Sequence, residues 1–191
     1  MKLKEYLIDY FCKKNKPSVK KGEKGIPPIP SWDDYFMSMA YLSASKSKDQ
    51  RTHIGAVVVG PNNEVVSLGY NSFPRGINDN KPERQLKPEK YPWFEHGERN
   101  AIYNATLIGA SLKGCKMYTN GVPCTDCGRG VIQSGILEVI VDKEWNEGNS
   151  QEDKEDSDKT LQMFGEAGIK VRYWTGDLLE IQKYRRGEII G

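Results

Sequence analysis

Two short segments constrain this chain more than anything else in it. "FEHGERNAIY" (94–103) sets His96 and Glu98 two residues apart, and 28 residues after the histidine "VPCTDCGRG" (122–130) supplies Pro123, Cys124 and Cys127. Each segment reads as the opening of a helix, the first over 97–109 and the second over 125–134. One imidazole and two thiolates are ligands of the kind zinc prefers, and three of them leave the fourth tetrahedral position open. If the two segments share a metal, the fold must bring two successive helix starts together. Helix starts suit that task, because their positive ends and unpaired N–H groups favour thiolate over thiol. An open position points to catalysis rather than scaffolding, and Glu98 is then close enough to act as a base without being a ligand.

The pattern around these helices alternates. In "WDDYFMSMAYLSASKS", Tyr35, Phe36, Met39 and Leu42 recur at helical spacing behind Asp33 and Asp34, which predicts a helix over 32–46. "IGAVVVG" (54–60) and "VVSLGYN" (65–71), joined by "PNNE", predict a β-hairpin. Further strands are expected at 115–120, 137–142 and 169–174, with a last helix near 157–168. The acid-rich stretch "NEGNSQEDKEDSD" (146–158) reads as a mobile loop. A hairpin followed by helix–strand alternation predicts an α/β fold, a mixed sheet flanked by helices.

At 191 residues the chain is long enough for one well-buried domain with a tail. Residues 1–25 hold eight lysines against Glu5, Asp9 and Glu23, a local charge of +5 in a chain of +2, so the rest carries −3. The body is therefore not a basic surface built to grip nucleic acid. "PSVKKGEKGIPPIP" (17–30) reads as a linker, since its prolines and glycines cannot continue a helix. The expected organisation is a basic helix and linker over 1–30, a domain over 31–176 and an extension over 177–191. No apolar run approaches the roughly 18 residues that span a bilayer, and Glu5 and Asp9 break the first segment. A cytoplasmic protein without a membrane partner is expected. In a reducing compartment the four cysteines are thiols or metal ligands. Cys12 and Cys115 have no partner at ligand spacing, and His53 reads as structural.

H-x-E followed by P-C-x-x-C is the signature of zinc deaminases that act on nucleobases. From about Trp32 to Trp174, through "IGAVVV", "GYNSFPRG", "EKYPWFEHGERNAIYNA" and "LKGCKMYTNGVPCTDCGRGVIQSGILEVIV", the chain resembles the deoxycytidylate deaminases of the cytidine deaminase superfamily. The resemblance implies a three-layer α/β/α fold with a mixed sheet of about five strands. It implies deamination of dCMP to dUMP on one catalytic Zn2+ held by His96, Cys124 and Cys127, with Glu98 carrying protons. It also implies a sugar contact from Asn71 and a contact from the Gly97 N–H to the pyrimidine O2. Most relatives carry Ala where Gly97 stands. Such enzymes are generally homo-oligomers, and dCTP and dTTP regulate many of them with Mg2+ at a "GYNGxPxG"-like loop. Here Ser72 replaces a glycine of that loop and Arg75 adds a charge suited to phosphate.

The span from Asn71 to His96 is long and carries Arg75, Lys81, Arg84, Lys87 and Lys90. An insertion of this kind resembles the nucleotide monophosphate deaminases. Each residue alone reads as solvated, and together they form a set able to meet a phosphate or an effector. Trp145 reads either as a ring stacked on the base or as a half-buried structural tryptophan. Two other functions compete at this level: a deaminase of another cytosine nucleotide or of a base in tRNA or single-stranded DNA, and a zinc-binding module without turnover.

Overall fold

The computed structural model describes residues 29–181, 184–185 and 188–189. Apart from residues 29 and 30, the expected basic tail over 1–30 lies outside the described residues. The element order begins with α1 (Trp32–Ala44), the hairpin β1 (Gly55–Val59) and β2 (Val65–Tyr70), then α2 (Gly97–Leu107). It continues through β3 (Lys116–Thr119), α3 (Thr125–Ser134), β4 (Glu138–Asp142), α4 (Lys143–Glu147), α5 (Gln151–Ala167) and β5 (Lys170–Trp174). These elements form one unit, Trp32–Leu178. Beyond it the described residues include a short antiparallel pair, β6 (Tyr184–Arg185) and β7 (Glu188–Ile189).

The five strands run in the order β2-β1-β3-β4-β5. β1 pairs antiparallel with both β2 and β3, whereas β3, β4 and β5 are parallel. The alternation of side chains along each strand divides the core into two. Val57, Val59, Tyr118 and Ile140 face Phe36, Met37 and Ala40 of α1. Ala56, Val58, Met117, Val139 and Val141 face Ala101 and Ala105 of α2, Val131 of α3 and Phe164 of α5. The expected mixed sheet between helical layers is thus what the chain adopts, with one helix on one face and three on the other among the described residues. Two strand glycines let the helices come close. A Cβ at Gly55 would stand 2.0 Å from the Ala40 carbonyl oxygen of α1, and one at Gly69 would stand 2.3 Å from the Ala101 nitrogen of α2.

A polar cluster ties the far edge of the sheet to the start of α1. Arg172 of β5 donates to both oxygens of Asp33, at 2.7 and 3.0 Å, and to Glu138 at 2.7 Å. The Tyr118 hydroxyl also donates to Asp33, at 2.7 Å. The Arg172 guanidinium holds the Asp33 carboxyl below its ordinary value, outweighing partial burial.

The stretch 146–158 is not a mobile loop. It contains the end of α4, a short turn and the first half of α5. Ser150 caps α5 by accepting from the Asp153 N–H at 3.2 Å, and Glu152 and Asp153 lie in the first turn, where negative charge meets the positive end of the helix. The face it buries is made of Ser157 and Thr160, small polar residues, ahead of Phe164. Acid-rich sequence on this segment is therefore helix capping and solvated face, not looseness.

Candidate active site

His96 and Cys124 occupy equivalent places, each the residue before the first turn of its helix, with extended backbone at φ −78°, ψ 153° and φ −62°, ψ 166°. The parallel order of β3 and β4 and the packing of α2 beside α3 on the same face bring the two helix starts together. Arg99 fastens them. It pairs at 2.5 Å with Glu95, which precedes His96 and accepts its N–H at 3.1 Å, and it lies 3.5 Å from Asp126, which sits between the two cysteines.

The result is a compact donor set. The His96 Nδ1 atom is 3.4 Å from Cys124 Sγ and 3.6 Å from Cys127 Sγ. All three donor atoms lie within 4.8 Å of one another, near enough to share one ion. Imidazole with two sulfurs, and no fourth protein donor among the described residues within that group, is a donor set that fits a catalytic zinc ion. Contact with the Cys127 thiol, and then with His96, brings the Cys124 thiol down to about 4 against the effect of burial. Cys127 shares a proton with that sulfur and is buried, so its own thiol is pushed up. The hydrogen bond to Cys124 raises the His96 pKa.

Glu98 stands in the first turn of α2 with 6% of its surface exposed. Cys127 Sγ lies 3.5 Å from its Oε2. Burial raises the carboxyl pKa, the direction needed for a group that must hold a proton as well as accept one.

His96, Glu98 and Cys124 line a cleft of about 660 Å³, a size suited to a nucleotide-scale ligand. Asp49, Thr52, Ile54, Asn71 and Phe94 line it together with Trp145 and Asn149, and hydrogen bonds among Asp49, Thr52, Ile54 and Asn71 make that stretch one continuous wall. Arg51, Lys87 and Lys90 supply positive charge to the lining. Of the five basic residues expected between Asn71 and His96, only Lys87 and Lys90 reach the cleft. Arg84 instead stacks on the Trp93 ring at 3.7 Å.

The other expected residues fall in distinct places. Asn71 is buried on the wall, with its Oδ1 accepting from Ile54 N at 2.8 Å and its Nδ2 donating to the Thr52 carbonyl at 2.8 Å. Its amide therefore holds the wall in shape. Gly97 is the first residue of α2, and a Cβ there would stand 2.9 Å from the Ile54 carbonyl oxygen, which accounts for glycine at this position. The half-buried Trp145 sits on α4 against Gly121, where a Cβ would come within 2.9 Å of its Cδ1. Ser72 is buried and Arg75 is exposed and bonded to the Asn104 side chain, and neither lines the cleft. Ser72 is nevertheless joined to the site, because its backbone exchanges hydrogen bonds of 3.1 and 2.8 Å with Glu95, the neighbour of His96. Asp49 and Arg51 were not singled out by the sequence. The only hint was an aspartate two residues before Arg51, the pattern of a side chain that caps a turn.

The family model described as the cytidine and deoxycytidylate deaminase zinc-binding region matches residues 30–143, a span that holds His96, Glu98, Cys124 and Cys127. The chain belongs to that family. It is 38% identical over 149 residues to deoxycytidylate deaminase of Mus musculus, across 75% of this chain and 80% of that one. To deoxycytidylate deaminase of Homo sapiens it is 36% identical over 146 residues, across 74% and 78%. The dCMP deaminase of cyanophage S-TIM5 in its apo form superposes with a TM-score of 0.61 at 22% identity, covering 77% of this chain and all of the phage chain, a likeness of fold. Among the described residues no helix is long and apolar enough to cross a membrane.

Proposed function

We propose that the protein hydrolyses dCMP to dUMP and ammonia. The observation that carries this reading is the buried Glu98 carboxyl beside a His96, Cys124 and Cys127 donor set, in a cleft that Arg51 and Lys87 also line. The deoxycytidylate deaminases of mouse and human, similar over three quarters of the chain, support the choice of substrate. So does the solved structure of the cyanophage enzyme in complex with dCMP and dUMP.

The residues divide the work. His96, Cys124 and Cys127 would hold one zinc ion, whose Lewis acidity brings deprotonation of a water into the neutral pH range. Glu98 takes the proton of the attacking water and delivers it to N3, which makes C4 of the cytosine electrophilic. Once the water oxygen is bonded to C4, Glu98 takes the remaining proton of that hydroxyl and passes it to the exocyclic amine; the bond from C4 to nitrogen breaks, ammonia leaves and the C4 carbonyl of uracil remains. The Gly97 N–H, at a helix start where the first N–H groups have no intrahelical acceptor, would meet the pyrimidine O2. Arg51 and Lys87 favour a ligand that bears phosphate, and Trp145 offers a ring to the base. A free nucleotide also spares the unstacking energy, a few kcal/mol by order of magnitude, that a base in a duplex demands.

The test is ammonia release from dCMP, cytidine, dCTP, a tRNA and a single-stranded DNA. Turnover of dCMP above the others supports the reading, preference for a polynucleotide replaces it, and no turnover of any leaves a zinc-binding module. A second reading concerns regulation. The Ser72–Glu95 backbone bridge gives the loop around Ser72 and Arg75 a direct hold on the segment before His96. A deoxynucleoside triphosphate with Mg2+ bound at that loop would then shift the affinity for dCMP, provided it binds two conformations differently. Saturation curves for dCMP that dCTP and dTTP leave unmoved, beyond competition at the cleft, discard it. Assembly into a homo-oligomer is part of the same reading, and the mass in solution checks it.

A further inference from the structure

Lys90 and Asp49 form an ion pair of 2.5 Å inside the cleft lining, with only 9% and 4% of their side chains exposed. A buried pair of this kind is strained by desolvation unless further hydrogen bonds satisfy it. Asp49 has them. Its Oδ1 accepts from Arg51 N at 2.9 Å and from Thr52 N at 3.4 Å, and its own N–H donates to Ser47 Oγ at 3.1 Å. Its carbonyl meets His53 Nε2 at 2.9 Å. Oδ2, the atom that takes Lys90, lies also 3.4 Å from Asn71 Nδ2.

These bonds run on toward the reaction site. Thr52 O and Ile54 N hold the two ends of the Asn71 amide, and the Ile54 carbonyl packs on Gly97, the residue between His96 and Glu98. Lys90 belongs to the insertion between β2 and α2, whereas Asp49 belongs to the connection between α1 and β1. The insertion is therefore tied to that connection by a buried charge pair, beside the donation of Gln85 Nε2 to the Lys48 carbonyl at 3.1 Å. Phe94, one helical turn further on, packs on Phe73 with ring centroids 4.3 Å apart and fixes the backbone from which Lys90 extends.

We infer that Lys90 is a positioning residue: its ion pair with Asp49 sets the shape of the wall over 49–54 and hence the placing of Asn71 and Gly97 against the nucleoside, while Arg51 and Lys87 meet the phosphate. The inference deepens the reading of the cleft as a nucleotide site. Of the three lysines and arginines along the cleft, Lys90 is the buried one and is already paired with a carboxylate, which makes it the least available to a ligand.

The test compares Lys90→Met with Lys87→Met in the zinc-loaded protein. Lys90→Met is expected to lower kcat as well as raise KM for dCMP, for a combined loss on the order of 10- to 100-fold, the scale of a misplacement near 1 Å. Amide hydrogen exchange at Arg51, Thr52 and Ile54 is expected to accelerate in that variant. Lys87→Met is expected to raise KM with little change in kcat and to leave those amides protected. The double variant Lys90→Met with Asp49→Asn removes the charge that Lys90→Met strands, so it is expected to fold at least as well as the single variant and to recover part of the amide protection. Unchanged exchange in Lys90→Met with a rise in KM alone makes Lys90 a phosphate ligand and overturns the inference. A double variant no better protected than the single one does so as well. If the unaltered protein does not turn over dCMP, the functional reading fails, while the exchange comparison still decides whether the pair holds the wall.

Discussion

Gly97→Ala adds one methyl at the most confined point of the site. The new Cβ would stand 2.9 Å from the Ile54 carbonyl oxygen, 3.2 Å from its Cγ2 and 3.3 Å from its carbonyl carbon. Ordinary contact begins near 3.4 Å, so the Ile54 backbone must retreat by about half an ångström. It is poorly free to do so, because Ile54 N and O are both bonded to Asn71, at 2.8 and 3.0 Å. Replacing Gly by Ala inside a helix gains about 0.5–1 kcal/mol, less at a first residue, whereas forcing a methyl into a packed site costs about 1–3 kcal/mol. The cost wins, for a net loss of about 1 kcal/mol, or about 2–4 °C in the unfolding midpoint for a domain of this size. Thermal unfolding of the zinc-loaded protein measures it, with KM for dCMP as the second readout, expected to rise as Asn71 moves with Ile54. A midpoint that stays or climbs, with KM unchanged, would show that Ile54 yields freely and that the wall is not held as described.

Two further outcomes follow from the same geometry. Cys124→Ala should lose bound zinc and dCMP turnover together, measured by metal analysis and ammonia release on one preparation, and full activity without metal contradicts the assigned donor set. Asp33, held below its ordinary value of 3.8 by Arg172, binds fewer protons folded than unfolded. It therefore contributes stability that is complete above that value and is lost as the pH falls through its lower folded value. Denaturant titrations from pH 5 downward should show a smaller acid loss in Asp33→Asn than in the unaltered protein, and parallel curves would remove Asp33 from the explanation.

The donor set of His96, Cys124 and Cys127 was legible because its chemistry is local to each helix start. His96 and Glu98 lie two residues apart, Cys124 and Cys127 three apart, and both pairs open helices whose limits the sequence marks well, α3 at both ends. The strands were legible for a similar reason, since Val57 through Val59 and Val139 through Val141 are apolar runs bounded by turn residues. The helix expected near 157–168 is the second part of α5, and its opening over 151–156 was hidden because those residues are polar throughout, so no hydrophobic period runs through them. The cleft wall was hidden because its logic is long-range. Nothing in "KSKDQRTHIG" tells that Asp49 will meet a lysine 41 residues away, or that Lys90 rather than Arg84 will be the one buried. Hydrophobic pattern places elements. It does not choose among five basic side chains on one insertion.

The most direct measurement is made on Glu98→Gln, with zinc content and dCMP turnover determined on the same folded sample. The amide keeps the size of the side chain but cannot take the proton of the water. Zinc bound as in the unaltered protein, with turnover reduced at least about 100-fold, is the expected result. Loss of zinc would make Glu98 a ligand, and turnover preserved with zinc in place would remove it from the chemistry.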